Sequence, residues 1–181
     1  MLAWPYVYKN ISKDYDWYYK GEDDGYLVVE NLRSFLRNYN PDEPHYFGTW
    51  FKPYLPKGFN SGAGYVFSRG TLKKLVEALD KDPKFCPNAD YEDLGVATCL
   101  NKLNITPGAS VDSNGYHRFL PYSFHEIYSG FARDWYVHNI SQGFDAFGPE
   151  LIQLHHNTPL ETLLIDAMLY RVKVKDLNKK N

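Results

Sequence analysis

The spacing of apolar positions divides the chain into short strands and helices. The aromatic run from Tyr15 to Lys20 reads as a buried strand that stops at Gly21-Glu22-Asp23-Asp24-Gly25, which leaves acidic residues at a strand's end. Beyond it, Leu32, Phe35, Leu36 and Tyr39 recur at helical spacing, and Asn40-Pro41 is the stop, because proline pushes the residue before it out of helical geometry. A second helix is predicted over Ser68 to Leu79, with Ser68 as cap and Leu72, Leu75, Val76 and Leu79 as its apolar stripe. Between the two lies YFGTWFKPYLPKGFNSGAGYVF, which predicts a glycine-rich turn followed by an apolar strand. A third helix is expected over Tyr91 to Leu103, capped by Asp90 with Glu92 and Asp93 in its first turn, and a fourth over Leu160 to Val172. Helices and short strands alternate, so the expected fold class is α/β with an incomplete sheet.

No repeat or low-complexity tract interrupts this order before the polar end KVKDLNKKN, so residues 1–172 read as one domain and 173–181 as a tail. At 181 residues and 44% hydrophobic, the domain can bury a real core. Twenty basic residues face 22 acidic ones, and the lysines and arginines are scattered until the last dozen positions, which argues against a nucleic-acid partner. An aromatic share of 17% suits either ring stacking on sugars or the packing of wide loops, and composition does not choose between them. No run approaches the roughly 18 apolar residues of a membrane span, and MLAWPYVYKN lacks the pattern of a signal peptide. The two cysteines, Cys86 and Cys99, are either a disulfide or a pair of core thiols. Sequons at Asn10, Asn104 and Asn139 tilt the compartment slightly toward a secretory lumen.

Three groups carry candidate chemistry. Glu22 and Asp24, two apart on a loop leaving a strand, can both address one hard cation of the kind that bridges nucleotide phosphates, although acidic turns are common on any soluble surface. His155-His156 supplies imidazole that would complete a Mn²⁺ site left unfinished by carboxylates, although histidine pairs are more often plain surface or core residues. Glu92-Asp93 at a helix start offers a general base, at a place where the helix dipole favours carboxylates in any case.

Taken in order, DWYYKGEDDGYLVVENLR, YFGTWFKPY, GFNSGAGYVFSR, CPNADYEDLGVATCL, FHEIYSG and LHHNTP resemble the core 1 β-1,3-galactosyltransferases of glycosyltransferase family 31, relatives of the Fringe enzymes. The resemblance runs from about Ala3 to about Val172. It implies a GT-A-like fold whose DxD motif is Glu22-Asp23-Asp24, with the first βαβ nucleotide-binding half absent from this chain. It further implies Mn²⁺, with Mg²⁺ as substitute, on Glu22, Asp24 and His155, and it assigns no such role to His156. Asp93 matches the family's catalytic base, and the segment holding Gly62, Ala63 and Gly64 lies beside the sugar site. Asp23, Glu92 and the loop aromatics Trp50, Tyr54 and Trp135 join the donor and acceptor contacts, the aromatic rings competing with a role as packing anchors. Cys86 and Cys99 bracket the Glu-Asp pair as the family's disulfide does.

The implied reaction moves galactose from UDP-galactose to the 3-hydroxyl of N-acetylgalactosamine on a glycoprotein, with inversion at the anomeric carbon. The resemblance places it in the Golgi lumen as a type II membrane protein, leaves a homodimer open, and calls for no nucleic acid. Two other readings accompany it: an inactive or truncated relative acting as a chaperone-like partner, and a Fringe-type β-1,3-N-acetylglucosaminyltransferase.

Overall fold

A computed structural model describes residues 3–173. The chain opens with α1 (Ala3–Tyr6), which runs on as a π-helical turn Val7–Ile11. There follow β1 (Trp17–Gly21), β2 (Tyr26–Leu27), α2 (Val29–Leu36), β3 (Tyr46–Phe51), β4 (Phe59–Ser68), α3 (Arg69–Lys81), α4 (Glu92–Lys102), α5 (Phe124–Ser129), β5 (Gln153–Leu154) and α6 (Pro159–Tyr170). β4 is the centre of a three-stranded sheet in the order β1-β4-β3, and β2 pairs with β5 in a second, two-stranded sheet. Both sheets are antiparallel, so the fold is a mixed helix-and-sheet arrangement.

Period-two alternation sends successive side chains of the larger sheet to opposite faces. Tyr18, Tyr46, Tyr65 and Phe67 enter a core with Trp4, Leu72, Leu75, Val96 and Leu100 from α1, α3 and α4. Their neighbours Phe47 and Val66 enter another with Leu32, Phe35 and Leu36 of α2, flanked by Trp17 and Tyr19. A sheet covered on both faces explains why Tyr65, Val66 and Phe67 are all buried in sequence. A third core gathers Phe51, Phe59, Leu120, Ile127 and Tyr136 under the later loops.

Several local expectations change. SGAGY is not a turn but lies within β4, where the small residues let β1 and Gln153 approach. A Cβ on Gly64 would come within 2.2 Å of Gln153 Oε1 and 2.6 Å of the Tyr19 hydroxyl. β1 is only half buried, with Tyr18 alone inside. α2 ends at Leu36, before the Asn40-Pro41 stop, and Tyr39 instead packs its ring 4.6 Å from Phe47. Ser68 does cap α3, accepting from the Thr71 N–H. Asp90 does not cap α4: its N-cap is Tyr91, and no side chain caps that end. α6 starts at Pro159 behind a Thr158–Glu161 capping box and buries none of its residues. The expected tail lies almost wholly outside the described residues.

Cys86 and Cys99 form a disulfide, with Cα atoms 5.1 Å apart, that ties the loop preceding α4 back onto that helix. Among the described residues, no helix is long and apolar enough to cross a membrane.

Candidate functional site

The β2–β5 pairing builds the first half of the site. Tyr26 faces Leu154 across the ladder, so the residue after β5, His155, comes down beside the acidic turn that precedes β2. Asn157 locks this register, donating from its backbone N–H at 3.0 Å and its side-chain amide at 3.1 Å to the Asp24 carbonyl. One ligand atom each from Glu22, Asp24 and His155 then lies within 4.8 Å of the others.

His155 is buried, and its Nδ1 donates to the Pro121 carbonyl at 3.2 Å, which leaves Nε2 facing the carboxylates. Nε2 sits 3.2 Å from Glu22 Oε2 and 2.8 Å from Asp24 Oδ1. Asp24 Oδ1 is nevertheless buried without a hydrogen bond. An orphaned carboxylate oxygen beside an imidazole of fixed tautomer and a second carboxylate is a donor set that fits a divalent cation such as Mn²⁺.

The second half belongs to β4 and α4. Packing of α4 on β4 brings Asp93 to Gly62, whose N–H donates to Asp93 Oδ2 at 2.9 Å, while the Leu94 N–H donates to Oδ1 at 2.8 Å. Burial pushes the Asp93 carboxyl above the usual carboxylate range, against the opposing pull of these two N–H groups and Lys20. Lys20 joins the halves: its ammonium donates to Glu22 Oε1 at 2.5 Å and to the Gly62 carbonyl at 2.6 Å. Burial would raise the Glu22 carboxyl, but Lys20 and His155 outweigh it and hold the group below its ordinary value.

A cavity of about 660 Å³ spans both halves. Glu22, His155, Gly62, Ala63 and Asp93 line one side, and Tyr54, Trp135, Phe51, Phe59 and Tyr122 form an aromatic wall. The Trp135 ring stands edge-on to Tyr54 at 6.0 Å and to Phe51 at 5.8 Å. Asp23, Asp24, Trp50, Gly64 and Glu92 do not line this space, Asp24 standing behind Glu22 and His155 in the cluster. Asp23 is exposed at the turn, and Gly64 is buried in β4. The Trp50 indole donates to the Lys57 carbonyl, and Glu92 accepts the Tyr65 hydroxyl at 2.5 Å. Lys20, Ser61 and Tyr122 escaped the sequence reading of the site, whereas His156 was offered there beside His155 as a source of imidazole. The signal for His156 was its adjacency to His155.

No family model matches the chain. It is 30% identical to the glycoprotein-N-acetylgalactosamine 3-beta-galactosyltransferase 1 of Xenopus laevis, over 94% of this chain and 50% of that protein. The mouse N-acetyllactosaminide beta-1,3-N-acetylglucosaminyltransferase 4 is 28% identical over 49% of this chain and 30% of its own length. Human chondroitin sulfate synthase 3 is 28% identical over 56% of this chain and 13% of its own length. The chain is thus similar to β-1,3-glycosyltransferases of glycosyltransferase family 31. It spans about half the length of the Xenopus relative it resembles along nearly all its own length. These similarities lend no support to a homodimer.

Proposed function

We propose that this β-1,3-glycosyltransferase chain carries the catalytic centre of a metal-dependent, inverting galactosyltransferase with a GT-A-like fold. Its donor is UDP-galactose, its acceptor the 3-hydroxyl of N-acetylgalactosamine O-linked to a glycoprotein, and its compartment the Golgi lumen. The observation that carries the reading is that Glu22 and His155, two members of the Glu22–Asp24–His155 cluster, line one cavity with Asp93, linked to it through Lys20 and Gly62. The similarity to the Xenopus 3-beta-galactosyltransferase supports the choice of sugars.

Glu22, Asp24 and His155 hold Mn²⁺, or Mg²⁺ in its place. When bound, the cation supplies a Lewis acid that neutralises the charge developing on the departing diphosphate. Asp93 takes the proton of the acceptor hydroxyl as that oxygen attacks the anomeric carbon from the face opposite UDP, so the α-linkage of the donor becomes β. A carboxyl raised by burial is a stronger base than a solvated one, which suits Asp93 to this role. Tyr54 and Trp135 offer ring faces and edges against which the apolar side of a sugar packs.

A UDP-N-acetylglucosamine donor is the second reading, favoured by the similarity to the mouse N-acetylglucosaminyltransferase. The test is incubation of the chain and Mn²⁺ with each UDP-sugar and a peptide bearing α-linked N-acetylgalactosamine, followed by NMR of the product. A β-1,3-linked galactose is expected. A β-linked N-acetylglucosamine product would select the second reading, and no product from a folded chain would favour an inactive relative that acts through binding.

A further inference from the structure

His156 is left without a role by the cation cluster, and its geometry is unusual. Its backbone φ is +57°, a left-handed conformation that costs energy for any residue carrying a Cβ and persists where surrounding contacts enforce it. Those contacts are specific. The His156 Nδ1 lies 3.3 Å from Glu126 Oε2, and the ring packs 5.6 Å from Tyr122 and 4.4 Å from His155. Glu126 is itself held, because the same Oε2 accepts from the Ser123 N–H at 3.0 Å and the Ser123 hydroxyl at 2.9 Å in the capping box of α5. A carboxylate oxygen can only accept, so Nδ1 carries the proton and Nε2 is the ring's remaining polar atom. Nε2 makes no hydrogen bond among the described residues, the side chain is 46% exposed, and the residue lines the cavity between the cation cluster and the aromatic wall.

We propose that His156 is a sugar-positioning residue, whose Nε2 accepts a hydrogen bond from a saccharide hydroxyl in the cavity while Glu126 fixes the ring. The inference rests on the transferase reading and deepens it: the hydroxyl belongs either to the donor galactose or to the acceptor N-acetylgalactosamine. An imidazole locked by a charged partner presents a directional acceptor at little entropic cost, which is how a site distinguishes sugars that differ at one hydroxyl.

The test uses His156→Gly and His156→Asn, because both residues tolerate a left-handed φ and the fold should survive. Ligand-detected NMR with Mn²⁺ and UDP present measures binding of methyl α-N-acetylgalactosaminide and its monodeoxy analogues, and with Mn²⁺ alone binding of UDP-galactose and its monodeoxy analogues. The expected result is a loss of about tenfold in affinity for one of the two sugars in both variants, the size of one hydrogen bond, with unchanged melting temperature. One deoxy analogue should bind wild type as weakly as the variants bind the parent sugar, and should lose nothing further in the variants. Wild-type binding with no change in either variant, or an equal loss for every deoxy analogue, would overturn the role of His156 while sparing the transferase reading. Failure of the wild type to bind either sugar would overturn both.

Discussion

Gly62 donates its backbone N–H to Asp93 Oδ2 at 2.9 Å, and its carbonyl takes the Lys20 ammonium at 2.6 Å. One residue of the central strand therefore orients the candidate base and, through Lys20, the Glu22 end of the cation cluster. The carboxyl that it holds is buried enough for its ionisation to be costly.

Replacing Asp93 by Asn should lower transfer by about 10²–10⁴-fold, the usual worth of a general base, with the fold intact by circular dichroism. The folded-state pKa of Asp93 is raised, so its contribution to stability is present below the unfolded carboxylate pKa and is lost as pH rises through the folded value. Urea melts of wild type and Asp93→Asn should therefore diverge in favour of the variant as pH climbs through that window. Wild-type transfer should rise over the same window, and an equal pH response of both melts would contradict the burial argument.

Mn²⁺ together with UDP should raise the melting temperature of the wild type. At a hundred times the dissociation constant the gain is about 2.7 kcal/mol. Asp24→Ala and His155→Ala should abolish the shift, since each removes one donor of the cluster. A shift that persists in both variants would move the cation elsewhere.

Gly64→Ala should destabilise the chain by about 1–3 kcal/mol, the typical penalty of overpacking. The new methyl would displace the fully buried Gln153 and the Tyr19 hydroxyl that donates to it at 2.9 Å. Gly62→Ala is the control, because its methyl would meet Asp93 no closer than 3.5 Å. Chemical denaturation of the pair should separate them.

Reduction of Cys86–Cys99, or its replacement by serines, should cost about 3 kcal/mol, as expected for a closed loop of this length. Because the bridge anchors the segment leading into Asp93, transfer should fall before the protein unfolds. Activity and melting temperature measured across a reductant series check this.

What the residues alone disclosed was the candidate chemistry and much of the secondary structure. The acidic turn, the Glu92-Asp93 start of α4, the Ser68 cap and the apolar stripes of α3 are local patterns, and local patterns survive in one dimension. The resemblance in motif order pointed to the same family as the Xenopus relative. Only the tertiary structure decided that SGAGY is a strand, in which Gly64 serves close packing against Gln153 and Tyr19 rather than a turn. It likewise separated Tyr54 and Trp135, which line the cavity, from Trp50, which does not, and recruited Lys20 and His156. These outcomes depend on the β2–β5 register and on α4 packing over β4, contacts between residues far apart in the chain whose geometry no local spacing encodes.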